Sequence, residues 1–163
     1  MAWYALYTRP RHEKQVHQEL GNKGIEAFLP TFKIRRRWSD RYKIVEEPLF
    51  KNYLFVNCKS FAEHSAAPPR PYGAVSYVMF DGKPAAIPEF EIDAIRQLVD
   101  SELPYSLHPY LKVGRKVRIR QGALKGCEGI LIRKKNIARL ILSVNLLQQS
   151  VSVEVDADVV EAL

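Results

Sequence analysis

Four large apolar side chains in a row, Tyr53, Leu54, Phe55 and Val56, constrain this chain more than any other stretch. A strand with one wet face alternates apolar and polar residues. This one does not, so both faces of its sheet need cover. Trp3 to Tyr7 reads the same way, and so does Val75 to Phe80, broken only by Ser76. Central strands of this kind require two covering layers, and the remaining sequence is searched for what supplies them.

At 163 residues the chain is long enough for one sizeable core or two small ones. No apolar run approaches the roughly 18 residues of a membrane-spanning helix. The N-terminus also lacks a signal peptide's order of charged, apolar and small-residue regions, so a cytoplasmic location and no membrane are expected. Cys58 and Cys127 stand far apart with no ligand pattern around them, which points to reduced thiols rather than a disulfide framework or a zinc site. The formal charge of +7 suggests a polyanion partner, and its distribution says more than the total. Residues 33–43 carry six Lys or Arg against one Asp, a net of +5; residues 44–111 carry five against nine, a net of −4; residues 112–163 carry ten against five, again +5. The first 32 residues are nearly neutral, with four against three.

After the first strand, Thr8 reads as an N-cap, with Pro10 near the helix start and Glu13 in the first turn, where the macrodipole favours an acid. Val16 and Leu20 form a thin apolar stripe, and Gly21 or Gly24 stops the helix. Its outer face offers Arg11, His12, Lys14 and His17, preceded by Arg9: a solvated helix surface, or a set of phosphate contacts. Residues 25–47 read as a long hairpin with Ser39 and Asp40 at the tip. Around that tip cluster Lys33, Arg35, Arg36, Arg37, Arg41 and Lys43, interleaved with Trp38 and Tyr42, which is the composition of an arm that contacts a nucleic-acid backbone. Phe61 to Ala67 suggests a short helix ended by Pro68, Pro69 and Pro71. Asp81-Gly82 marks a tight turn. Pro88, Glu89 and Glu91 open a second long helix striped by Ile92, Ile95, Leu98 and Val99 and ending near Ser101.

Two long helices cover roughly one face of a four-stranded sheet. The other face is left to a second domain, a partner protein or a smaller exposed area; a groove for a partner is the expectation taken forward. Residues 102–111, with Pro104 and Pro109, read as a linker. Beyond it, five short strands in about fifty residues suggest a small closed barrel, since closure removes exposed edges. The fold expected is α+β: an N-terminal α/β sandwich over residues 1–101 with an antiparallel four-stranded sheet, the linker 102–111, and a β-barrel over 112–163.

Trp3-Tyr4-Ala5-Leu6-Tyr7, a helix, and then Pro48-Leu49-Phe50-x-Asn52-Tyr53-Leu54-Phe55-Val56 resemble the N-terminal domain of the NusG family of transcription elongation factors. Val117-x-Ile119-x-x-Gly122-x-Leu124-x-Gly126-x-x-Gly129-Ile130 resembles the KOW motif that accompanies it, an SH3-like barrel. The resemblance spans nearly the whole chain in the expected order. It implies an elongation or antitermination factor that docks on RNA polymerase through an apolar groove and suppresses pausing. The matching positions are Tyr7, Phe50, Tyr53, Phe55 and Phe80, with a second polymerase contact aligned at His64 and Ser65. The pattern around Phe50 is nearer to the specialised RfaH branch, whose members read a signal in non-template DNA or nascent RNA; by position Arg9, Arg11, Lys14 and Arg70 take that role, and upstream DNA is a further partner the resemblance implies. In the barrel, the turn carrying Ala123, Leu124 and Lys125 would meet a ribosomal protein or Rho. RfaH also has a C-terminal domain able to form a helical hairpin, and here Leu140, Val144, Leu147 and Val151 would line such a helix. Val151, Val153 and Val155 alternate with polar residues as a strand requires, so strands are expected.

An enzyme is the chief alternative from another class. His12, His17, His64 and His108 show no metal-ligand spacing, and no nucleophile motif, P-loop or dinucleotide fingerprint is present, so neither catalysis nor a cofactor is expected. The other alternative is a KOW-containing RNA-binding module of ribosome assembly or translation. It gives the apolar N-terminal strands no purpose. A monomer is expected.

Overall fold

A computed structural model describes residues 2–59 and 71–163. The chain divides into two compact units, Met1–Ile87 and Pro88–Leu163. The first contains β1 (Ala2–Thr8), α1 (Glu13–Asn22), β2 (Ala27–Phe28), β3 (Thr31–Trp38), β4 (Arg41–Pro48), β5 (Tyr53–Cys58), β6 (Ala74–Tyr77), β7 (Met79–Phe80), β8 (Lys83–Pro84) and β9 (Ala86–Ile87). The second contains α2 (Glu89–Asp100), β10 (Tyr105–His108), β11 (Arg115–Ile119), β12 (Glu128–Lys134), β13 (Ile137–Val144), β14 (Gln149–Glu154) and β15 (Val160–Ala162).

In the first unit β5 and β1 are the middle strands of an antiparallel sheet ordered β2-β5-β1-β6, and β9 also pairs β1. The register puts Leu6 opposite Leu54 and Tyr4 opposite Val56 on one face, and Ala5 opposite Phe55 and Tyr7 opposite Tyr53 on the other. Helix α1 covers the first face: Val16 and Leu20 pack with Leu6, Leu54, Val56, Cys58 and Tyr77. Burying each such aliphatic side chain is worth about 1.5–3 kcal/mol, so this narrow stripe is enough to hold a helix of modest propensity. On the second face the Phe55 ring lies 6.2 Å from Phe28 and 6.0 Å from Phe50. Here the structure corrects an expectation. Phe50 and Phe55 are 1% and 0% exposed, so no open apolar groove lies over them. A strand with no polar face demands dry surroundings on both sides, and these two rings are part of the answer.

Thr8 is not the helix cap its sequence position suggests. It is the buried last residue of β1, its N–H donates to the Asn52 carbonyl at 2.7 Å, and α1 begins only at Glu13, with His12 at the cap and no side-chain cap bond. Sheet pairing has claimed Thr8, and Arg11, at φ 66°, turns the chain before the helix starts. Glu13 is buried, and its carboxylate accepts the N–H of Asn52 at 2.9 Å. Asn52 itself sits at φ 72° in the turn that launches β5, a left-handed conformation that asparagine tolerates better than most residues. Gly73 is required by space as well as by its φ of 98°, since a Cβ there would stand 2.6 Å from the Cβ of His12.

The hairpin is present as the two-stranded sheet β3–β4, turning at Ser39 and Asp40, but it starts at Thr31 and not at residue 25, since Ala27–Phe28 pair with β5 instead. Asp81 and Gly82, at φ 55° and 77°, close the short β7–β8 hairpin as a primed turn. The expected single strand from Val75 to Phe80 is split into β6 and β7, which lie in different sheets, with Val78 between them donating to the Ala5 carbonyl of β1 at 2.8 Å. The helix expected at Phe61 to Ala67 lies outside the described residues.

The second unit is a six-stranded antiparallel sheet ordered β10-β14-β13-β12-β11-β15, with α2 against β13. Val117, Ile119, Leu140, Leu142, Val151 and Val153 are buried within it. The chain is therefore of mixed α and β class, with antiparallel sheets. Leu140, Val144 and Val151 stand in strands, not along a helix. The division after Ile87 groups α2 with the second compact unit. The expected linker is not without structure. Residues 105–108, inside the expected linker, form β10, paired to β14 with Leu107 opposite Val151. Pro104 and Pro109 flank this strand, and an edge strand paired on one side tolerates them there.

Three side chains tie α2 to the loops that flank the sheet strands. Gln97 Nε2 donates to the carbonyls of Ala123 and Lys125, both at 2.9 Å, and Cys127 Sγ donates to Gln97 Oε1 at 3.3 Å. Burial pushes the Cys127 thiol up to about 11, which keeps it in its donor form. Glu91 is buried and accepts the Asn145 N–H at 3.0 Å; burial raises its carboxyl above the usual 4.5, against the downward pull of its two Asn145 hydrogen bonds.

Replacing Glu13 by Ala leaves the Asn52 N–H without its acceptor and is expected to lower stability by about 1–3 kcal/mol, read from urea unfolding. Glu91 has a pH consequence. The folded state holds its proton more tightly than the unfolded chain, so the stability it contributes is full below 4.5 and is lost as pH rises through the folded value. In Glu91→Gln the unfolding free energy followed from about pH 4 to 7 should lose that downward component.

Candidate nucleic-acid interface

The β3–β4 hairpin carries six Lys or Arg, all exposed. Its register pairs Lys33 with Glu46, Arg35 with Ile44, Arg36 with Lys43, Arg37 with Tyr42 and Trp38 with Arg41. Directly opposed residues of an antiparallel pair share a face, so the cations divide evenly. One face bears Lys33, Arg35 and Arg37, the other Arg36, Arg41 and Lys43. Two like charges opposed, Arg36 and Lys43, repel each other, and each is compensated separately. Arg36 Nε donates to Glu47 Oε1 at 2.6 Å, and the Lys43 ammonium stands 5.0 Å from the Trp38 ring centre. On the other face the Arg35 guanidinium lies 4.0 Å from the Tyr42 ring centre. Such exposed cation–π contacts are worth about 0.5–1 kcal/mol, enough to orient a side chain without committing its charge.

The cations expected from helix α1 reach the base of the same hairpin. Lys14 Nζ donates to the Glu46 carbonyl at 2.6 Å. Arg11, Lys14, Arg36 and Lys51 line a cleft of about 600 Å³, together with Glu13, Glu46 and Glu47. With that many acids the cleft is nearly charge-balanced, so the hairpin beyond it is the strongly positive part. Arg9 lies apart from the cleft, its guanidinium 5.8 Å from the Tyr72 ring centre, and Tyr72 also meets the His12 ring at 5.4 Å. Lys51 and Tyr72 were missed in the sequence. Both come to the cations through chain crossings far along the sequence, and the only local hint for Tyr72 is the Pro71-Tyr72-Gly73 turn around it.

The aromatic positions separate into two kinds. Tyr7 and Tyr53 pair across β1 and β5, rings 5.5 Å apart, and remain partly exposed. Phe80 is 75% exposed beside Met79 on the β7–β8 hairpin. Phe50 and Phe55 are core residues. His64, Ser65 and Arg70 lie outside the described residues. In the second unit Leu124 is buried in the core, and the Ala123 and Lys125 carbonyls on either side are occupied by Gln97, which leaves only their side chains outward. Among the described residues no group of three or more His, Cys, Asp or Glu is placed to hold a metal ion, and no helix is long and apolar enough to cross a membrane.

Residues 1–96 match the family model for transcription termination factor nusG. The chain belongs to the NusG family. It is 27% identical over 174 residues to the transcription termination/antitermination protein NusG of Lactococcus lactis subsp. lactis (strain IL1403), an alignment covering 98% of this chain and 91% of that protein. Its fold is similar to that in the solved structure "Domain interaction in Thermotoga maritima NusG", with a TM-score of 0.53 and 19% identity over 99% of this chain and 97% of the other. The chain is thus a NusG-family transcription termination/antitermination factor.

The two kinds of aromatic should respond differently to truncation. Phe55→Ala is expected to cost about 3–5 kcal/mol of stability, as large-to-small changes in a packed core do. Phe80→Ala should stay within about 0.5 kcal/mol of the parent, as surface changes do. Denaturant unfolding of the two variants side by side checks this.

Proposed function

We propose that this protein binds RNA polymerase through its N-terminal unit and contacts nucleic acid with the β3–β4 hairpin, suppressing pausing or termination in the cytoplasm. The observation that carries the reading is the hairpin: six exposed cations and two exposed aromatic rings on a two-stranded ribbon, where a purely structural hairpin needs none of them. Membership of the NusG family supports the choice of polymerase as partner. Tyr7, Tyr53 and Phe80 are the anchors on this reading, because among the five aromatic positions the resemblance implies they are the ones that keep exposed surface. Arg9 and Arg11 add positive charge at the start of α1. Ala123 and Lys125 present the side chains through which the second unit would meet a ribosomal protein or Rho. The pattern from Pro48 to Phe55 supports a specialised, operon-specific member over a general factor.

The test is in vitro elongation on a template with a strong pause, run with and without the protein. The expected result is shorter dwell at the pause. Changing Tyr7, Tyr53 and Phe80 to Ala should weaken polymerase binding by about 2 kcal/mol or more while the protein remains folded. Unchanged dwell together with co-sedimentation on ribosomal subunits would replace this reading with that of a translation-linked RNA-binding module.

A further inference from the structure

The two faces of the hairpin are chemically unlike, and the difference goes beyond charge. The face with Arg36, Arg41 and Lys43 is half-buried toward its base through Phe32, Ile34 and Val45, and it neutralises Arg36 with Glu47. The other face is exposed from Lys33 and Glu46 to the tip. There, β3 contributes a row of cations, Lys33, Arg35 and Arg37, and β4 contributes Ile44 and Tyr42 directly beside it. Neighbouring strands lie about 4.8 Å apart and same-face residues about 6.8 Å apart along a strand, so a charged rail and an apolar rail run in parallel. Ile44 and Tyr42 are 68% and 57% exposed. Within this paired stretch the one acid on the face is Glu46, at the base opposite Lys33.

We propose that this face is a track for single-stranded nucleic acid, with phosphates on Lys33, Arg35 and Arg37 and unpaired bases on Tyr42 and Ile44. The proposal rests on the reading of the hairpin as a nucleic-acid contact and names the form it takes. A duplex keeps its base faces in its own stack and offers a protein arm phosphates and groove edges; an unpaired strand offers the base faces themselves, which stack on aromatic rings and guanidinium planes. Arg35 serves both rails. Its guanidinium already lies on Tyr42, so a base that arrives meets a plane that is flat, cationic and in place. Trp38, on the opposite face and under Lys43, takes no part.

The test measures binding of the full chain to a fluorescent oligo-dT strand, the matching oligo-U strand, and a blunt DNA duplex, by anisotropy over a range of salt. Tyr42→Ala is expected to weaken both single strands by about 5- to 100-fold, the worth of one stacked base, and to leave the duplex within about 2-fold. Arg35→Gln with Arg37→Gln should weaken every probe and reduce the salt slope on the single strands by about 1.4. Trp38→Ala, on the opposite face, should weaken the single strands less than Tyr42→Ala does. Comparing oligo-dT with oligo-U tells whether DNA or RNA is preferred, and either preference satisfies the proposal. If Tyr42→Ala leaves single-strand binding intact while the arginine changes weaken it, or if Trp38→Ala produces the larger loss, the track is overturned and the hairpin remains a phosphate contact. If no hairpin change moves any probe, the underlying reading fails with it.

Discussion

Leu54, Phe55 and Val56 are all buried although successive side chains of a strand point to opposite sides. That requirement organises the first unit. It places β5 inside the sheet, sets β1 beside it in a register that puts Leu6 on Leu54 and Ala5 on Phe55, and recruits the short stripe of α1 to one side. It also makes the turn before β5 exacting. Asn52 must adopt a left-handed backbone, its carbonyl takes the Thr8 N–H, and its own N–H is taken by a buried carboxylate from α1. Helix, turn and two strands are joined there in one hydrogen-bonded knot.

Much of this was legible in the chain. The strands at Trp3–Tyr7 and Tyr53–Val56, the α1 stripe, the hairpin tip at Ser39 and Asp40, the Asp81-Gly82 turn and the start of α2 at Pro88 all follow from local signals, and each is where those signals place it; Val75–Phe80, split and largely exposed, is not the covered strand its run suggests. What was not legible depended on partners distant in sequence. Thr8 has the chemistry of a helix cap, but a residue cannot both cap a helix and complete a strand, and the sheet offered more. Residues 105–108 look like linker because four residues between prolines carry no period, yet β14 supplies a ladder for them. Phe50 and Phe55 were expected on an open face, from the family resemblance and because two helices were counted as covering only one side of the sheet, whereas both rings are buried by the chain itself.

The same contrast holds for the candidate site. The charge of the hairpin could be counted in the sequence, but its division into two faces depends on the register, and its partial neutralisation by Glu47 depends on an arginine eleven residues away. Composition alone makes all six cations equivalent. The structure shows them in different states: Arg36 is held by an acid, Arg35 and Lys43 are laid over rings, and Arg37 and Arg41 stand near the tip.

Because side chains along β3 and β4 alternate with a period of two, the length of the hairpin matters as much as its composition. Adding or deleting a single residue in one arm would carry every side chain beyond that point to the reverse side, seating Tyr42 and Ile44 where Lys43 and Val45 now stand. The content of the arm would be the same and its lining would be inverted. Among relatives of this chain, substitutions that exchange one cation for another should therefore be common in the hairpin, while changes in its residue count should come in pairs or be confined to the tip.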